Sequence, residues 1–533
     1  MAVFLIYVSP CLWYILYLSP RFINQYIPKP MGTTKQNFLS CACLSLAVLP
    51  LRAQTFTWIT STQDATWQTT KAVKLTKGTA TADVTVDNDA QMPAFRAWGV
   101  TFNEQDWDAL GVLTRNEQDE ILEKVFAPDG ELRATRGRIS MGANDYARSW
   151  YSCDEEVGDL ELRYFNIDRD RQTIIPFVRA AQKYCPNLTC WISPWCPPSW
   201  MKINGNYAVL SSKYNTLPER MNYLLYGKTG GKVDEDEMKL TCERKGKFPR
   251  QLATTDYFIQ DPRYLQAYAE YFCRFIDAYK QEGITIDMVM YQNEAYSYTP
   301  YPGCAWTAEG TIRFNRDYLA PQLKQRHPEV KLYLGTFNTN RLDYVQKIVA
   351  DKDLQACVEG MGLQWEAREI LPDMRKEHPQ WHYVCSESEC GWGSFDWPAA
   401  EHTFELLNHY LGNGCDEYNF WNMILTDNGE SPWGWKQNAL IRVDSRQRTF
   451  TYTPEYYAAR HYCSFVAAGD KVVAHKAQGD DKKPVIVFRS ASGKYVVIAG
   501  NFKDEAQQLN VSIEGKLLNA TLPAHSFNTF RMK

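Results

Sequence analysis

Two glutamates stand where chemistry is most readily done. Glu294 follows the run ITIDMVMYQN, in which Ile284, Ile286, Met288 and Met290 alternate. Glu387 follows WHYVCS. Alternation with period two marks a β-strand, and these runs read as buried or half-buried ones. In a (β/α)₈ barrel the C-terminal ends of the strands carry the chemistry. Two carboxylates facing one cavity there are the equipment for cleaving a glycosidic bond, one as acid/base and one as nucleophile. The chain has 62 acidic residues. An arbitrary glutamate is a solvated surface charge, but these two end apolar strands.

The scaffold they require is legible around them. From Phe95 onward, strand patterns alternate with helix patterns. FRAWGVTF is a first strand, RATRGRISMGAND a second, and LTCWISPWCPPSW a third that Pro194, Pro197 and Pro198 stop at once. The Glu294 strand is fourth. VKLYLGTF and VEGMGLQW follow, the Glu387 strand is seventh, and EYNFWNMIL is eighth. Between them lie helical periodicities, as in PRYLQAYAEYFCRFIDAYKQ with Leu265, Tyr268, Phe272, Phe275, Ile276 and Tyr279 on one side. The fold class expected is α/β, a (β/α)₈ TIM barrel over residues 95–468. Residues 54–94 and 469–533 are rich in short alternating runs such as TADVTVDND and KYVVIAGNF. They are expected to form together a β-sandwich side domain. Residues 203–261 make an unusually long, charged connection.

Composition narrows the partners. A net charge of -4 argues against a general phosphate-backbone binder, so no nucleic acid is expected. The 17 Trp and 32 Tyr suit sugar binding, because flat C–H faces of sugars stack on such rings, although many must fill the core. No phosphate loop, G-x-S-x-G elbow, H-E-x-x-H pair or dinucleotide fingerprint is present. The carboxylate chemistry calls for no metal or cofactor.

Residues 1–53 read as a leader that is removed. Ala2–Ser19 is apolar but short and interrupted by Pro10. A second start at Met31, with Lys35, the apolar run 38–50 and a small residue before Gln54, fits a secretory signal peptide. Export, with no stable membrane span in the mature form, is therefore expected. The 15 Cys include no C-x-x-C pair and resemble neither a zinc site nor a dense disulfide framework.

Five motifs carry a family resemblance: SPWCPPSWMK (193–202), QNEAYSYTPYPGCAWT (292–307), CSESECG (385–391), FWNMIL (420–425) and LPAHSFNTF (522–530). In this order they resemble glycoside hydrolase family 30, the family of glucosylceramidases, β-glucosidases and endo-β-1,6-glucanases. The resemblance implies a retaining mechanism with Glu294 as acid/base and Glu387 as nucleophile. It places Arg138 beside the nucleophile and Asn293 at the sugar 2-hydroxyl. It puts Asp145, Trp195, Trp421 and Asn422 around the terminal sugar. Trp365 reads either as a pocket wall or as a packing residue. Where glucosylceramidases carry His-Trp-Tyr after strand six, this chain has Gln364-Trp365-Glu366. That departure and the 203–261 insertion favour a soluble β-glucan, with β-1,6 linkages first, over a glycolipid. Glucosylceramide, a β-xyloside and a β-fucoside remain alternatives, and the rival of another class is a non-catalytic carbohydrate-binding protein. Glu389, two residues beyond Glu387, competes for the nucleophile role, because the two would share a face if the strand ran on.

Overall fold

The eight expected strands close into one parallel barrel in the computed structural model, which describes residues 54–218 and 256–533. The leader, the start at Met31 and most of the 203–261 connection lie outside the described residues. The barrel strands, in chain order, are Ala97–Phe102, Arg136–Ser140, Thr189–Ser193, Thr285–Met290, Lys331–Phe337, Gly360–Gln364, His382–Glu387 and Glu417–Phe420. Each pairs in parallel with the next, and the eighth returns to the first at Glu417↔Ala97.

Helices take up the intervals and present apolar faces to the outside of the barrel. The longest, Pro262–Gln281, begins with Asp261 accepting from the Arg263 N–H at 2.8 Å and with proline in its first turn. It buries the six residues that the sequence spacing put on one side. Each such side chain contributes about 1.5–3 kcal/mol relative to exposure. The helical stretch after Glu294 begins at Ala308 and ends at Arg326, and a π-helical turn over Asn315–Leu319 interrupts it. Gly362 on the sixth strand admits Met290 from the fourth: a Cβ there would lie 2.3 Å from the Met290 sulfur.

The first and last described strands pair with one another. Thr55–Ser61 lies antiparallel to Ser526–Met532, within a sheet that continues through Tyr495–Asn501 and Val485–Arg489 to Lys471–Lys476. A second sheet holds Gln507–Ile513, Lys516–Leu522 and the short strand Val84–Thr85. Val487, Val497 and Phe530 of the first sheet share a core with Leu509, Val511 and Leu518 of the second. The stretch TADVTVDND is therefore less strand-like than its alternation suggests, since only Val84 and Thr85 pair. Beyond that pair the backbone bonds are single ones: the Asp83 and Val86 N–H groups donate to the Asn510 and Ser512 carbonyls, and the Asp87 N–H to that of Val473. Sequence patterning also missed a small sheet of Ile424–Thr426, Ile441–Asp444 and Thr449–Tyr452, which follows the eighth strand.

Candidate active site

Arg138 is the pivot of the barrel's C-terminal rim. It lies on the second strand, every residue of which is buried, and its own exposure is 0%. A guanidinium out of water must be saturated with acceptors. Nη1 donates to Glu387 Oε2 at 2.7 Å and to the Ser386 carbonyl at 3.1 Å. Nη2 donates to Asn293 Oδ1 at 2.7 Å and to Ser193 Oγ at 3.1 Å. The plane also lies over the rings of Trp195 and Trp421, at 4.3 and 5.4 Å from their centroids. Even so, burial lowers its pKa, and the surrounding carboxylates only partly offset this.

Glu387 ends the seventh strand with both oxygens engaged. Arg138 holds Oε2, and the Trp365 indole N–H donates to Oε1 at 3.0 Å. Burial pushes its carboxyl up to about 7; Arg138 opposes this and the Glu294 charge adds to it. Glu389 is turned away into an ion cluster with Arg368 and His402, the latter at 2.8 Å. The strand ends at Glu387, so period-two alternation does not carry Glu389 to the same face.

Glu294 stands just beyond the fourth strand, its backbone held at φ 48°. Non-glycine residues in this left-handed region cost of order 1–3 kcal/mol and persist where the surroundings over-determine them. Here the Glu294 N–H donates to the Thr336 carbonyl at 3.2 Å. The side-chain Oε1 accepts from Gln364 Nε2 at 3.2 Å. Asn293, its neighbour, has an Oδ1 that accepts from Arg138, from Thr336 Oγ1 at 3.0 Å and from Gln364 Nε2 at 3.2 Å. Three donors on the oxygen leave the Asn293 amide nitrogen as the group to offer a ligand.

The remaining expected residues gather around this centre in two ways. Trp195 and Trp421 stack with centroids 5.2 Å apart and make an apolar wall beside Arg138. Asp145 is 5% exposed, and burial followed by the Glu387 charge drives its carboxyl well above the usual range. Asn422 is used structurally: its Nδ2 donates to Gln437 Oε1 at 3.0 Å and to the Asn438 carbonyl at 3.2 Å. Gln437 Oε1 also accepts from the Trp421 indole at 2.9 Å, so this network fixes the aromatic wall. Trp365 is half-buried, and its indole N–H reaches Glu387 instead of merely packing.

The glycosyl hydrolase family 30 TIM-barrel domain matches residues 95–215 and 254–466. The chain belongs to this family. It is a glycoside hydrolase. Putative glucosylceramidase 3 of Caenorhabditis elegans is 25% identical over 428 residues, covering 74% of this chain and 71% of the relative. An endo-1,6-beta-D-glucanase of Neurospora crassa is 21% identical over 461 residues, covering 82% and 85%. Among solved structures, the endo-beta1,6-glucanase BT3312 superposes with a TM-score of 0.69 at 20% identity, covering 90% of this chain and 99% of that one.

Within this family 30 barrel, sequence reasoning missed several groups that organise the site: Thr336, Ser193, Gln437 and Gln364. The signal for Gln364 was the departure from His-Trp-Tyr after strand six. Thr336 and Ser193 offered none, being ordinary polar residues at strand ends. Among the described residues, no helix is long and apolar enough to cross a membrane.

Proposed function

We propose that this family 30 enzyme is a retaining hydrolase of β-glucosidic bonds, with β-1,6-glucan or a related oligosaccharide as its substrate, exported by a leader ahead of Gln54. The observation that carries the reading is the pair Glu294 and Glu387 at the ends of strands four and seven, joined through Arg138 and Asn293. In the first step a Glu387 oxygen bonds the anomeric carbon, the glycosidic C–O bond breaks, and Glu294 gives its proton to the leaving oxygen. In the second, the Glu294 carboxylate takes a proton from water, the water oxygen bonds the anomeric carbon, and the ester to Glu387 breaks. The donors on both Glu387 oxygens favour its ionised form, the form that attacks the anomeric carbon.

Support for a glycan chain comes from the rim. Trp392, a few residues beyond Glu387, is 53% exposed. It meets Trp435 edge-on at 6.2 Å, and Trp435 meets Tyr301 of the Glu294 loop at 5.7 Å. Such rings can stack on sugar units beyond the one being cleaved. The endo-1,6-glucanases among the relatives favour the same linkage. A panel of β-1,3-, β-1,4- and β-1,6-glucans, xylan and glucosylceramide, with proton NMR of the first product, tests the proposal. The β anomer released from β-1,6-glucan is the expected result. The α anomer would sink the retaining mechanism, and turnover of the ceramide lipid alone would sink the substrate.

A further inference from the structure

The end of the sixth strand reaches both carboxylates with consecutive residues. A regular strand would send Gln364 and Trp365 to opposite faces. Two irregularities remove that constraint. The register between strands six and seven slips between Leu363 and Gln364, bringing Gln364 opposite Glu387. Trp365 then takes φ 51°, the left-handed region, and the chain turns so that both side chains meet the site. Two uncommon backbone features at one strand end are costly unless something there depends on them.

The Gln364 amide is oriented without ambiguity. Its Oε1 accepts from Ser386 Oγ at 2.9 Å. Its Nε2 lies 3.2 Å from Asn293 Oδ1 and 3.2 Å from Glu294 Oε1. A flipped amide would set its oxygen against Asn293 Oδ1, which the Arg138 guanidinium fixes as an acceptor. Gln364 is wholly buried and carries no charge, so it holds its donor toward Glu294 at every working pH. Trp365 does the same for Glu387, and neither residue titrates.

We propose that Gln364 and Trp365 form a non-titrating yoke: Gln364 is a positioning residue for Glu294, Trp365 for Glu387, and each stabilises the ionised form of its own carboxylate. The inference rests on the assignment of Glu294 and Glu387 proposed above. In the first step Glu387 must be ionised, and the Trp365 N–H favours that state. In the second step Glu294 must be the carboxylate that receives a proton from water, and the Gln364 N–H favours that state.

The two halves are separable by pH. With one proton on the pair, loss of the first proton from the doubly protonated enzyme ionises Glu387 and sets the acid limb of kcat/KM. Loss of the second removes the proton that the acid must give and sets the alkaline limb; Arg138 and Asp145 face the same pair and stay unchanged in every variant. Removing a donor from a carboxylate makes it harder to ionise. Gln364→Met keeps the length and volume of the side chain but has no N–H. It is expected to move the alkaline limb up by about half to one pH unit, the worth of one hydrogen bond, and to leave the acid limb in place. Its loss of rate should be greater for aryl β-glycosides with poor leaving groups than for those with good ones. Trp365→Phe is expected to move the acid limb up by a similar amount and leave the alkaline limb alone.

The measurement is the kcat/KM profile of wild type and the two variants on whichever aryl β-glycoside of a glucoside, xyloside and fucoside set the wild type cleaves fastest. Gln364→Glu, which removes the donor by adding a charge of the same shape, should move both limbs up. That variant also guards against a folding defect in the methionine variant. Equal loss of rate across leaving groups with both limbs unmoved would reduce Gln364 to a packing residue and overturn the proposal. The same shift in both single variants would overturn the division of labour. Wild-type rates in Glu294→Gln and Glu387→Gln would instead overturn the assignment of the pair, and the yoke with it.

Discussion

Two buried arginines, two residues apart on the second barrel strand, serve opposite ends of the molecule. Arg136 lies toward the N-terminal end of the strands. It reaches Glu417 Oε1 at 3.2 Å, Asp287 Oδ1 at 2.7 Å and Thr189. Burial works to lower its pKa, yet Glu417 and Asp287 outweigh that and raise it. Arg138 has a carboxylate, a carbonyl, an amide and a hydroxyl as partners, and its pKa is lowered. Between the two clusters lies an apolar group that includes Trp191, Met288, Met290, Tyr333 and Val384. Arg138 sits over the Trp191 ring at 4.8 Å, and Tyr333 at the other end accepts from Arg96 at 3.0 Å. The lower cluster sets two guanidiniums, Arg136 and Arg96, against Glu417, Asp287 and Asp416. The upper one sets Glu294, Glu387 and Asp145 against one guanidinium. With a single arginine to share, burial prevails in the upper cluster and raises the carboxyls of Glu387 and Asp145.

The contrast predicts where each substitution should show. The largest effect belongs to Glu387→Gln, which should lower kcat by about 10⁴-fold or more while the protein stays folded. Retained glycoside turnover in that variant would remove the upper cluster from the chemistry. Arg138→Lys is next. It keeps the charge but loses the fork that serves Glu387, Asn293 and Ser193 together, and a kcat/KM loss of about 10²–10³-fold is expected. The equivalent change below, Glu417→Gln, leaves Arg136 and Arg96 short of a buried partner. It should lower stability by about 3–5 kcal/mol in denaturant melts, with near-normal kcat in the folded fraction. If instead it lowers kcat without altering stability, the two ends are not separate.

A smaller effect concerns pH. Burial pushes the Glu387 carboxyl up to about 7, against the pull of Arg138. Below that value the nucleophile is protonated and cannot attack. The sign is therefore a fall in kcat/KM on the acid side, about tenfold per unit once below the midpoint. A profile still level at pH 4 would show that Arg138 outweighs burial. The smallest effect is at the rim. Trp392→Ala should lower kcat/KM on β-1,6-glucan by about two- to tenfold and leave a small aryl glycoside unchanged. Equal loss on both substrates would place Trp392 in folding and not in glycan binding.

Much of this was legible in the chain because it is local. The runs before Glu294 and Glu387 alternate with period two, so their strands and the strand-end placing of both glutamates could be read residue by residue. The helix Pro262–Gln281 announced itself by its single apolar side, and the cap at Asp261 came with the structure. The same patterning failed at TADVTVDND, where alternation alone could not say that only Val84 and Thr85 find a partner strand. It marked Gln364 only as a departure from the family motif and gave it no role, since an amide at a strand end has no periodic signature.

The sequence by itself determined the barrel, the two carboxylates and the motifs around them, because hydrophobic period and residue type are properties of neighbours along the chain. Tertiary structure alone decided what those carboxylates are held by. Arg138 meets Glu387 across 249 positions, and Gln364 meets Glu294 across 70. The slip after Leu363 and the left-handed turns at Glu294 and Trp365 aim those side chains. Such choices follow from filling a closed, desolvated rim in which every donor must find an acceptor, a condition that no stretch of the sequence states alone.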